Sequence, residues 1–225
     1  MKVLIAVPVC HKDDWGGCPV WEGDHNNLAS RPTPQERLQA VRATWWPELT
    51  SDKKFFFGGG TREPREDEII LPCPDSFRFH CQKNQEMFRW AVRNGYDWVF
   101  RCDDDTYVRT DKLVVPKSGD QIGWGPWLGR GNNYITGGAG FWLSRAALAL
   151  IVKAPLTKTH EDDLWIGRDV LANSGVRIIH DPRYCPATAS DGHGVDVTKL
   201  PEDWITVHSC PPQVMKEIHA SRRRK

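Results

Sequence analysis

The stretch WVFRCDDDTYV, residues 98–108, runs from apolar side chains directly into three consecutive carboxylates, Asp103, Asp104 and Asp105. Adjacent like charges repel, so without a cation one of the three should take up a proton or turn away. A divalent ion such as Mn²⁺ or Mg²⁺ removes this conflict, because such ions bind oxygen ligands and commonly link carboxylates to a substrate diphosphate. The alternative is an acidic turn, since Asp forms turns and caps readily.

The segments around this stretch predict strands that alternate with helices. Strands are predicted for MKVLIAVPVC, KKFFFGGG, EIILP, WVF, VRIIH and WITVH. Helices are predicted from about residue 34 to 46, over FRFHCQKNQEMFRWAVRN, over RAALALIVKA after Ser144, and over HEDDLWIGRDVLANSG. Gly95 and Gly175 are expected to close two of these helices. This order is typical of a single α/β domain with a mainly parallel sheet, in which ligands bind beyond the carboxyl ends of the strands.

Composition describes an ordinary globular chain. Its 225 residues are 40% hydrophobic and 26% charged, with a formal net charge of +1, so no overall field attracts nucleic acid or a membrane surface. No apolar run approaches the roughly 20 residues that a membrane-spanning helix needs. We expect one domain over residues 1–221 and a basic tail over 222–225. Residues 11–34 are rich in Gly, Pro and Asn, which predicts a long loop that is either a lid over a site or disordered.

The cysteines and the N-terminal segment bear on the compartment. Seven cysteines are an odd number and form no Cys-x-x-Cys pair, which argues against a zinc site and a fully paired disulfide framework. The first residues contain a single Lys and a short apolar run interrupted by Pro8, so they resemble a buried strand more than a signal peptide. We therefore expect reduced thiols and a cytoplasmic protein.

Three further groups of residues could carry chemistry. The run His160-Glu161-Asp162-Asp163 either caps a helix or supplies a general base for a substrate hydroxyl. The segment Gly137-Gly138-Ala139-Gly140 either lets a ligand approach the backbone or forms a plain turn. His208, at the end of WITVH, is either a metal ligand from another strand or a structural residue. Three indoles flank the glycine segment and offer faces for a sugar ring: Trp124, Trp127 and Trp142.

Together these motifs resemble the β1,3-glycosyltransferases of glycosyltransferase family 31, which include Fringe and the core 1 galactosyltransferase. RLQAVRATWW resembles the family's Arg-x-x-x-x-Arg-x-Thr-Trp helix, FFFGG its next strand, and DSFRFHCQKNQEMFRWAV its Asp-Ser-Tyr-x-Asn-Leu-x-x-Lys-Thr helix. WVFRCDDDTYV is similar to its metal motif, YITGGAGFWLS to its glycine segment, DDLWIG to its acidic pair before a helix, and ITVHSC to its late histidine strand. The matches follow the family order from about residue 37 to 210.

The resemblance implies a fold and a site. The fold would be the GT-A fold of nucleotide-diphospho-sugar transferases, with UDP over the first strand. Asp105 would bind Mn²⁺ or Mg²⁺ together with Asp103 and His208, and Asp163 would be the catalytic base. Other positions would contact the donor, the metal waters or the acceptor: Arg42, Lys83, Asp103, Asp104, Gly138, Ala139 and Gly140.

The implied reaction is the inverting transfer of a hexose or N-acetylhexosamine from a UDP-sugar to a hydroxyl of a glycan acceptor, with a β1,3 linkage. UDP-galactose and UDP-N-acetylglucosamine are the family's common donors. Two alternatives stay open. In one, the chain is a haloacid-dehalogenase-like phosphatase that forms an aspartyl phosphate on Asp103, although Tyr107 stands where that motif has Thr. In the other, it is a non-catalytic carbohydrate-binding module on a transferase fold.

The sequence departs from the family pattern in two ways. Eukaryotic members carry a membrane anchor and disulfides suited to the Golgi lumen, and neither is visible here. We therefore expect a free-standing microbial or viral enzyme, with a Golgi-lumen catalytic domain that lacks its anchor as the alternative. Residues 11–34 have no counterpart in the family pattern.

Overall fold

A computed structural model describes residues 1–10, 32–60, 63–117, 122–125, 135–157, 161–185 and 200–224. Most of the predicted 11–34 loop, together with His160, Trp127 and the side chain of Trp124, lies outside the described residues. Within the described part, ten strands form two sheets. The strands are β1 Val3–Val9, β2 Asp52–Gly58, β3 Glu68–Leu71, β4 Trp98–Arg101, β5 Tyr107–Val108, β6 Ile122–Gly125, β7 Phe141–Ser144, β8 Arg177–His180, β9 Tyr184–Cys185 and β10 Thr206–Val207.

The larger sheet has seven strands in the order β3-β2-β1-β4-β7-β6-β8. All its pairings are parallel except those of β7, which runs antiparallel to both β4 and β6. The smaller sheet has the order β5-β10-β9 and lies next to the carboxyl end of β4, because β5 follows β4 after five residues. The predicted fold class, a mainly parallel α/β sheet flanked by helices, is confirmed, and it is the architecture that the resemblance to GT-A enzymes implied.

The helices largely follow the predicted signals. They are α1 Pro34–Ala43, α2 His80–Arg93, α3 Arg145–Lys153, α4 Asp162–Leu164 and α5 Pro212–Arg222. At the start of α1 the Thr33 side chain accepts a hydrogen bond from the backbone N–H of Glu36, and the Glu36 carboxylate accepts one from the backbone N–H of Thr33. The predicted capping box is therefore confirmed. Ser144 caps α3 as predicted, by accepting from the backbone N–H of Ala147. Gly95 has φ 76°, the predicted left-handed stop after α2.

Two predicted helices are shorter or less regular than expected. The helix expected from 34 to 46 ends at Ala43, because the chain turns there to bury Trp45 and Trp46. Trp45 Nε1 donates to the carbonyl of Thr106 at 3.0 Å, which a regular helix end would not allow. The helix expected before Gly175 has a single α-helical turn, α4, and continues as a π-helical stretch over Trp165–Leu171. Such wide turns are rare and occur often near functional sites.

Both faces of the larger sheet are covered, as expected for buried parallel strands. Alternate residues of β1 point to opposite faces, so Ile5 and Val7 contribute to one core and Leu4 and Ala6 to the other. The first core lies under α1 and α5 and includes Val41, Met215 and Ile218. The second lies under α2 and α3 and includes Met87, Phe88 and Leu148.

The C-terminal segment is more structured than predicted. Arg222, which was expected to begin a solvated tail, is the last residue of α5, and its Nη1 donates to the hydroxyl of Tyr107 at 3.0 Å. It also pairs with Asp111. None of the helices in the described ranges has both the length and the apolar character that crossing a bilayer requires.

Trp142 does not offer its face to a sugar, because only 1% of its surface is exposed. It lies on β7 of the larger sheet, and its Nε1 donates to the hydroxyl of Tyr184 on β9 at 3.0 Å. Phe100 packs against both rings. The predicted stacking role of Trp142 is therefore wrong, and the indole instead links the two sheets.

Tyr184→Phe tests this link. The substitution leaves the buried indole N–H of Trp142 without its acceptor, so we expect the free energy of unfolding to fall by about 1–3 kcal/mol. Tyr96→Phe is the matched control, because its hydroxyl bonds the exposed Asp52, which can accept from water instead. Urea unfolding of the three proteins gives the comparison, and equal losses in both variants would contradict the assigned role of Tyr184.

Candidate active site

The candidate site lies where β4, the glycine segment before β7, and the residue after β10 meet. Asp103, Asp105 and His208 each direct one ligand atom into a common space, and these atoms lie within 4.8 Å of one another. We call these three residues the metal group. The antiparallel pairing of β10 with β5 sets their approach, because Val207 lies opposite Tyr107. The backbone N–H of Cys210 also donates to the carbonyl of Asp105 at 2.8 Å.

The chemistry and spacing of the metal group fit a divalent cation. His208 Nε2 lies 3.3 Å from Asp105 Oδ1 and 3.6 Å from Asp103 Oδ2. An octahedral ion with ligands at about 2.1 Å places neighbouring ligand atoms roughly 3 Å apart. Apart from this contact with His208, the buried Oδ1 of Asp105 has no hydrogen-bond partner among the described residues. Two carboxylates and one imidazole suit Mn²⁺ better than Mg²⁺, which favours oxygen ligands alone.

Electrostatics at the metal group favour positive charge. Burial alone would lower the pKa of His208, but the charge of Asp105 and its hydrogen bond, with Asp103 in support, raise it to about 9. Burial alone would raise the pKa of Asp105, but the His208 charge and hydrogen bond outweigh it and lower the pKa. Each partner thus stabilises the charged form of the other. A metal ion binding there would displace the imidazolium proton.

Asp104, the middle carboxylate, faces away from the metal group. Its Oδ1 accepts from Arg37 Nε at 2.9 Å, and Arg37 Nη1 also donates to the carbonyl of Pro32 at 2.7 Å. Burial raises the pKa of Asp104 to about 7 even though Arg37 acts in the opposite direction. The three carboxylates therefore avoid mutual repulsion by dividing between two sites, with Asp103 and Asp105 on one and Asp104 on α1.

The acidic pair at the start of α4 lies beside the glycine segment. Asp163 Oδ2 accepts from the backbone N–H of Gly137 at 2.9 Å. Asp162 is 5% exposed, and its Oδ2 accepts from Arg101 Nη2 at 2.8 Å and from Asn84 Nδ2 at 2.9 Å. The two carboxylates have different partners, so they can have different protonation states.

The pKa values of the acidic pair diverge for this reason. Burial would raise the pKa of Asp162, but the charges of Arg101 and His80 lower it to about 2. Burial raises the pKa of Asp163 well above its ordinary value, and the neighbouring charge of Asp162 raises it further. Paired carboxylates whose environments separate their pKa values are a recurring feature of acid–base sites. Asp162 is thus the fixed anion and Asp163 the group able to exchange a proton.

The glycine segment is close-packed against the protein's own side chains. A Cβ on Gly137 would lie 2.7 Å from Asp163 Oδ1 and 2.9 Å from Arg101 Nη1, and a Cβ on Gly138 would overlap the ring of His208. Gly140 has φ 93°, and a Cβ there would lie 2.5 Å from Phe100. Asp163 and His208 therefore pack against two adjacent residues of the segment, Gly137 and Gly138.

Hydrogen bonds fix the segment against the strands on both sides. The carbonyl of Gly138 accepts from Thr106 Oγ1 at 2.6 Å and from the backbone N–H of Asp103 at 3.3 Å. The carbonyl of Ala139 accepts from Thr206 Oγ1. The backbone positions of the metal group and of the glycine segment are therefore set together.

The two basic residues expected near the donor have partners within the protein. Lys83 is fully buried at the carboxyl end of β1 and donates to the carbonyl of Val9 at 2.7 Å, to Asp75 Oδ1 at 2.7 Å and to Cys10 Sγ at 3.0 Å. An ammonium group has three N–H donors, so all are used. Arg42 Nη2 donates to Asp67 at 2.7 Å and to Glu68 at 2.9 Å, at the opening of β3. Neither is within the metal group or the acidic pair.

Sequence reasoning missed several residues that hold the site together: Arg37, His80, Asn84, Arg101 and the anchoring role of Asp162. Only Arg101 had a visible signal, as a charged residue ending a strand that is otherwise apolar. Arg37 lay in a helix with a second arginine, Arg42, and His80 and Asn84 lay in a helix with many polar residues.

Comparison with known proteins adds the following. No protein-family model matches the chain. The β1,3-glucosyltransferase of Mus musculus is 26% identical in a gapped alignment of 200 positions that covers 82% of this chain and 38% of that protein. The β1,3-galactosyltransferase 6 of Mus musculus is 25% identical in a gapped alignment of 237 positions that covers 84% of this chain and 70% of the relative. The chain therefore spans well under half the length of the glucosyltransferase.

Among solved structures, the crystal structure of a glycosyltransferase involved in the glycosylation of the major capsid of PBCV-1 superposes with a TM-score of 0.49 and 13% identity, over 98% of this chain and 100% of that one. The resemblance to β1,3-glycosyltransferases that the motifs indicated is confirmed by the two sequence relatives.

Gly138→Ala tests whether the glycine segment positions the metal group. The new Cβ would displace the His208 ring, so we expect the dissociation constant for Mn²⁺, measured with UDP present, to rise about 10–100-fold. The control is the same substitution in a His208→Ala background, where no ring is left to displace and no further loss is expected. Equal Mn²⁺ affinity of Gly138→Ala and the unmodified protein would show that the segment does not position His208.

Proposed function

We propose that the protein is a metal-dependent, inverting glycosyltransferase that moves a hexose or N-acetylhexosamine from a UDP-sugar to a hydroxyl of a glycan acceptor, forming a β1,3 linkage. The observation that carries the proposal is that His208 of the metal group and Asp163 pack against adjacent residues, Gly138 and Gly137. The chain's similarity to β1,3-gluco- and β1,3-galactosyltransferases supports the choice of reaction and linkage.

The donor would bind at the open side of the metal group. The side chains of Asp103, Asp105 and His208 are 24–31% exposed, so one side of the group can accept a substrate. A divalent cation held there would offset the charge that develops on the leaving diphosphate. Mn²⁺ is the proposed ion and Mg²⁺ the alternative.

Asp163 would act as the general base. The N–H of Gly137 fixes one of its oxygens, which orients the carboxyl group toward the glycine segment. Burial and the charge of Asp162 raise its pKa, and a base whose pKa lies nearer neutrality accepts a proton more effectively during the reaction. Asp163 takes the proton of the acceptor hydroxyl as that oxygen attacks the anomeric carbon from the side opposite UDP, which inverts the configuration. Holding both substrates in this geometry supplies further acceleration.

The positions of the other candidate residues indicate how each of them would contribute to binding the donor. Gly138, Ala139 and Gly140 would meet the donor sugar and acceptor through their backbone, because protein side chains already fill the space on the Cα atoms of Gly138 and Gly140, and Ala139 is buried. Asp104, fixed by Arg37, would face the nucleotide. Lys83 and Arg42 would act indirectly, by holding the ends of β1 and β3 over which the nucleotide would lie.

The first test is UDP release from a panel of UDP-sugars, with Mn²⁺ or with EDTA. We expect slow Mn²⁺-dependent release from one donor, abolished by EDTA and by Asp105→Ala, because the leaving diphosphate then loses its counter-charge. Asp163→Asn should reduce transfer to acceptor by about 10²–10⁴-fold, the usual contribution of a general base. Asp111→Ala is the matched control, since Asp111 is an exposed carboxylate that pairs with Arg109 and Arg222.

The same assay separates the alternatives. Phosphate released from a generic phosphoester, with a labelled aspartyl phosphate on Asp103 and no UDP from any donor, would replace the transferase proposal with the phosphatase. Saturable binding of a carbohydrate with no turnover of any UDP-sugar would instead favour the non-catalytic module.

The pH dependence of the reaction provides a second test. Only ionised Asp163 accepts a proton, so kcat should rise as pH rises through its pKa. Asp162→Asn removes the neighbouring negative charge that raises this pKa, so the acid limb of the kcat profile should move to lower pH. Asp169→Asn, a carboxyl group paired with Arg168 in the following π-helical turn, should leave the limb in place. A shift of the Asp162→Asn limb to higher pH would exclude Asp163 as the base.

A further inference from the structure

Arg101, the last residue of β4, is buried between the metal group and the acidic pair. Its relative exposure is 0%, and no solvent compensates the guanidinium charge. A buried charge is costly unless it is paired and hydrogen-bonded, so the fold must supply partners around the whole group. The partners that it supplies belong to both halves of the candidate site.

Each nitrogen of the guanidinium faces a different partner. Nη1 lies 2.9 Å from Asp103 Oδ1, in a charge contact that is not aligned as a hydrogen bond. Nη2 donates to Asp162 Oδ2 at 2.8 Å, and Nε donates to Asn84 Oδ1 at 3.2 Å. His80 Nε2 lies 3.3 Å from Nη2 and completes the surroundings.

These contacts fix the orientation of both acidic partners. Asp103 has Oδ1 toward Arg101, which leaves its Oδ2 toward His208 at 3.6 Å. Asp162 Oδ2 is held by Arg101 and by Asn84, and Asp162 in turn lies next to Asp163 in the first turn of α4. A planar guanidinium sets the angle between its nitrogens, so the positions of the two carboxylates are linked through one rigid group.

We propose that Arg101 is a positioning residue that aligns the metal group with the general base, by holding Asp103 and Asp162 at a fixed separation and angle. The inference rests on the proposed function, because it assigns Arg101 a task in that reaction. A lysine at this position would keep the positive charge but would not align the two carboxylates. Its ammonium group is a point charge on a flexible chain and cannot hold three partners in one plane.

The test is Arg101→Lys, with Arg89→Lys as the matched control. Arg89 is a half-buried arginine of α2 that contacts Glu86 and the carbonyl of Val152, away from the site. The measurements are Mn²⁺ affinity with UDP present by electron paramagnetic resonance, kcat and KM for UDP-sugar turnover, and the melting temperature.

For Arg101→Lys we expect Mn²⁺ affinity to fall about 10–100-fold, as for other residues that orient metal ligands. We also expect a similar loss in kcat that persists at saturating Mn²⁺, because the acidic pair stays misaligned.

The outcomes separate the inference from the proposed function. A lower melting temperature with unchanged Mn²⁺ affinity and kcat would make Arg101 a core residue only and overturn the inference. A kcat that saturating Mn²⁺ restores fully would overturn the link to the acidic pair. If the unmodified protein neither binds Mn²⁺ nor releases UDP, the proposed function fails and the inference with it. If the unmodified protein does both and Arg101→Lys matches it, the inference alone fails.

A second variant covers the case in which Arg101→Lys does not fold. Asn84→Ala keeps every charge but releases the Nε side of the guanidinium and one donor to Asp162. We expect it to lower kcat about tenfold at saturating Mn²⁺, with a smaller change in Mn²⁺ affinity, because the contact of Arg101 with Asp103 is kept. An unchanged kcat would overturn the inference.

Discussion

The crowding of five buried or half-buried carboxylates in a small volume is the constraint on which the site depends. Asp103, Asp104 and Asp105 follow β4, and Asp162 and Asp163 open α4 directly beside them. Carboxylates crowded together in the interior either protonate or require positive partners. The described residues around them supply the cations Arg37, Arg101 and His208, while burial lowers the pKa of His80 beside Asp162 and favours its neutral form. Because three basic groups do not balance five acidic ones, the site retains negative charge, which favours a divalent cation at one point and a protonated carboxyl at another.

Each carboxylate has a different set of basic neighbours, and its pKa and its position differ accordingly. Arg37 removes Asp104 from the metal group, and Arg101 keeps Asp162 ionised. His208 holds Asp105 ionised, while Asp163 forms no salt bridge within the described part of the chain, and burial and the charge of Asp162 raise its pKa. Through their neighbours alone, residues of one chemical type thus acquire the properties of the proposed metal ligand, of a structural anion and of the proposed base. The acid–base roles are properties of the packing between β4, α1 and α4, and not of the acidic motifs by themselves.

The sequence was sufficient for the parts of this arrangement that are local. Strand alternation, the Thr33 capping box and the Ser144 cap depend on residues a few positions apart, and they predicted β1, α1 and α3 in the right order. The triplet was predicted as a metal site because carboxylates that follow a buried strand favour a divalent cation, whereas His208 was assigned to that site only through the family resemblance. The contacts that differentiate the carboxylates are not local: Arg101 meets Asp162 across 61 positions and Arg37 meets Asp104 across 67. No periodicity records such a pairing, so sequence reasoning named the acidic residues without the groups that divide their roles.

The glycine segment shows how steric and electrostatic requirements converge. The sequence left open whether its glycines give a ligand access to the backbone or form a plain turn, and in the structure the space on Gly137 and Gly138 is filled by Asp163, Arg101 and His208. The absence of side chains lets these three groups approach the same short backbone stretch from different elements. A Cβ on Gly137 would displace Asp163, the proposed base, and a Cβ on Gly138 would displace His208, a proposed metal ligand. The glycines therefore allow Arg101 and His208 to lie close to the carboxylates whose charge they balance. A ligand would meet only the part of the segment's backbone that these side chains leave uncovered.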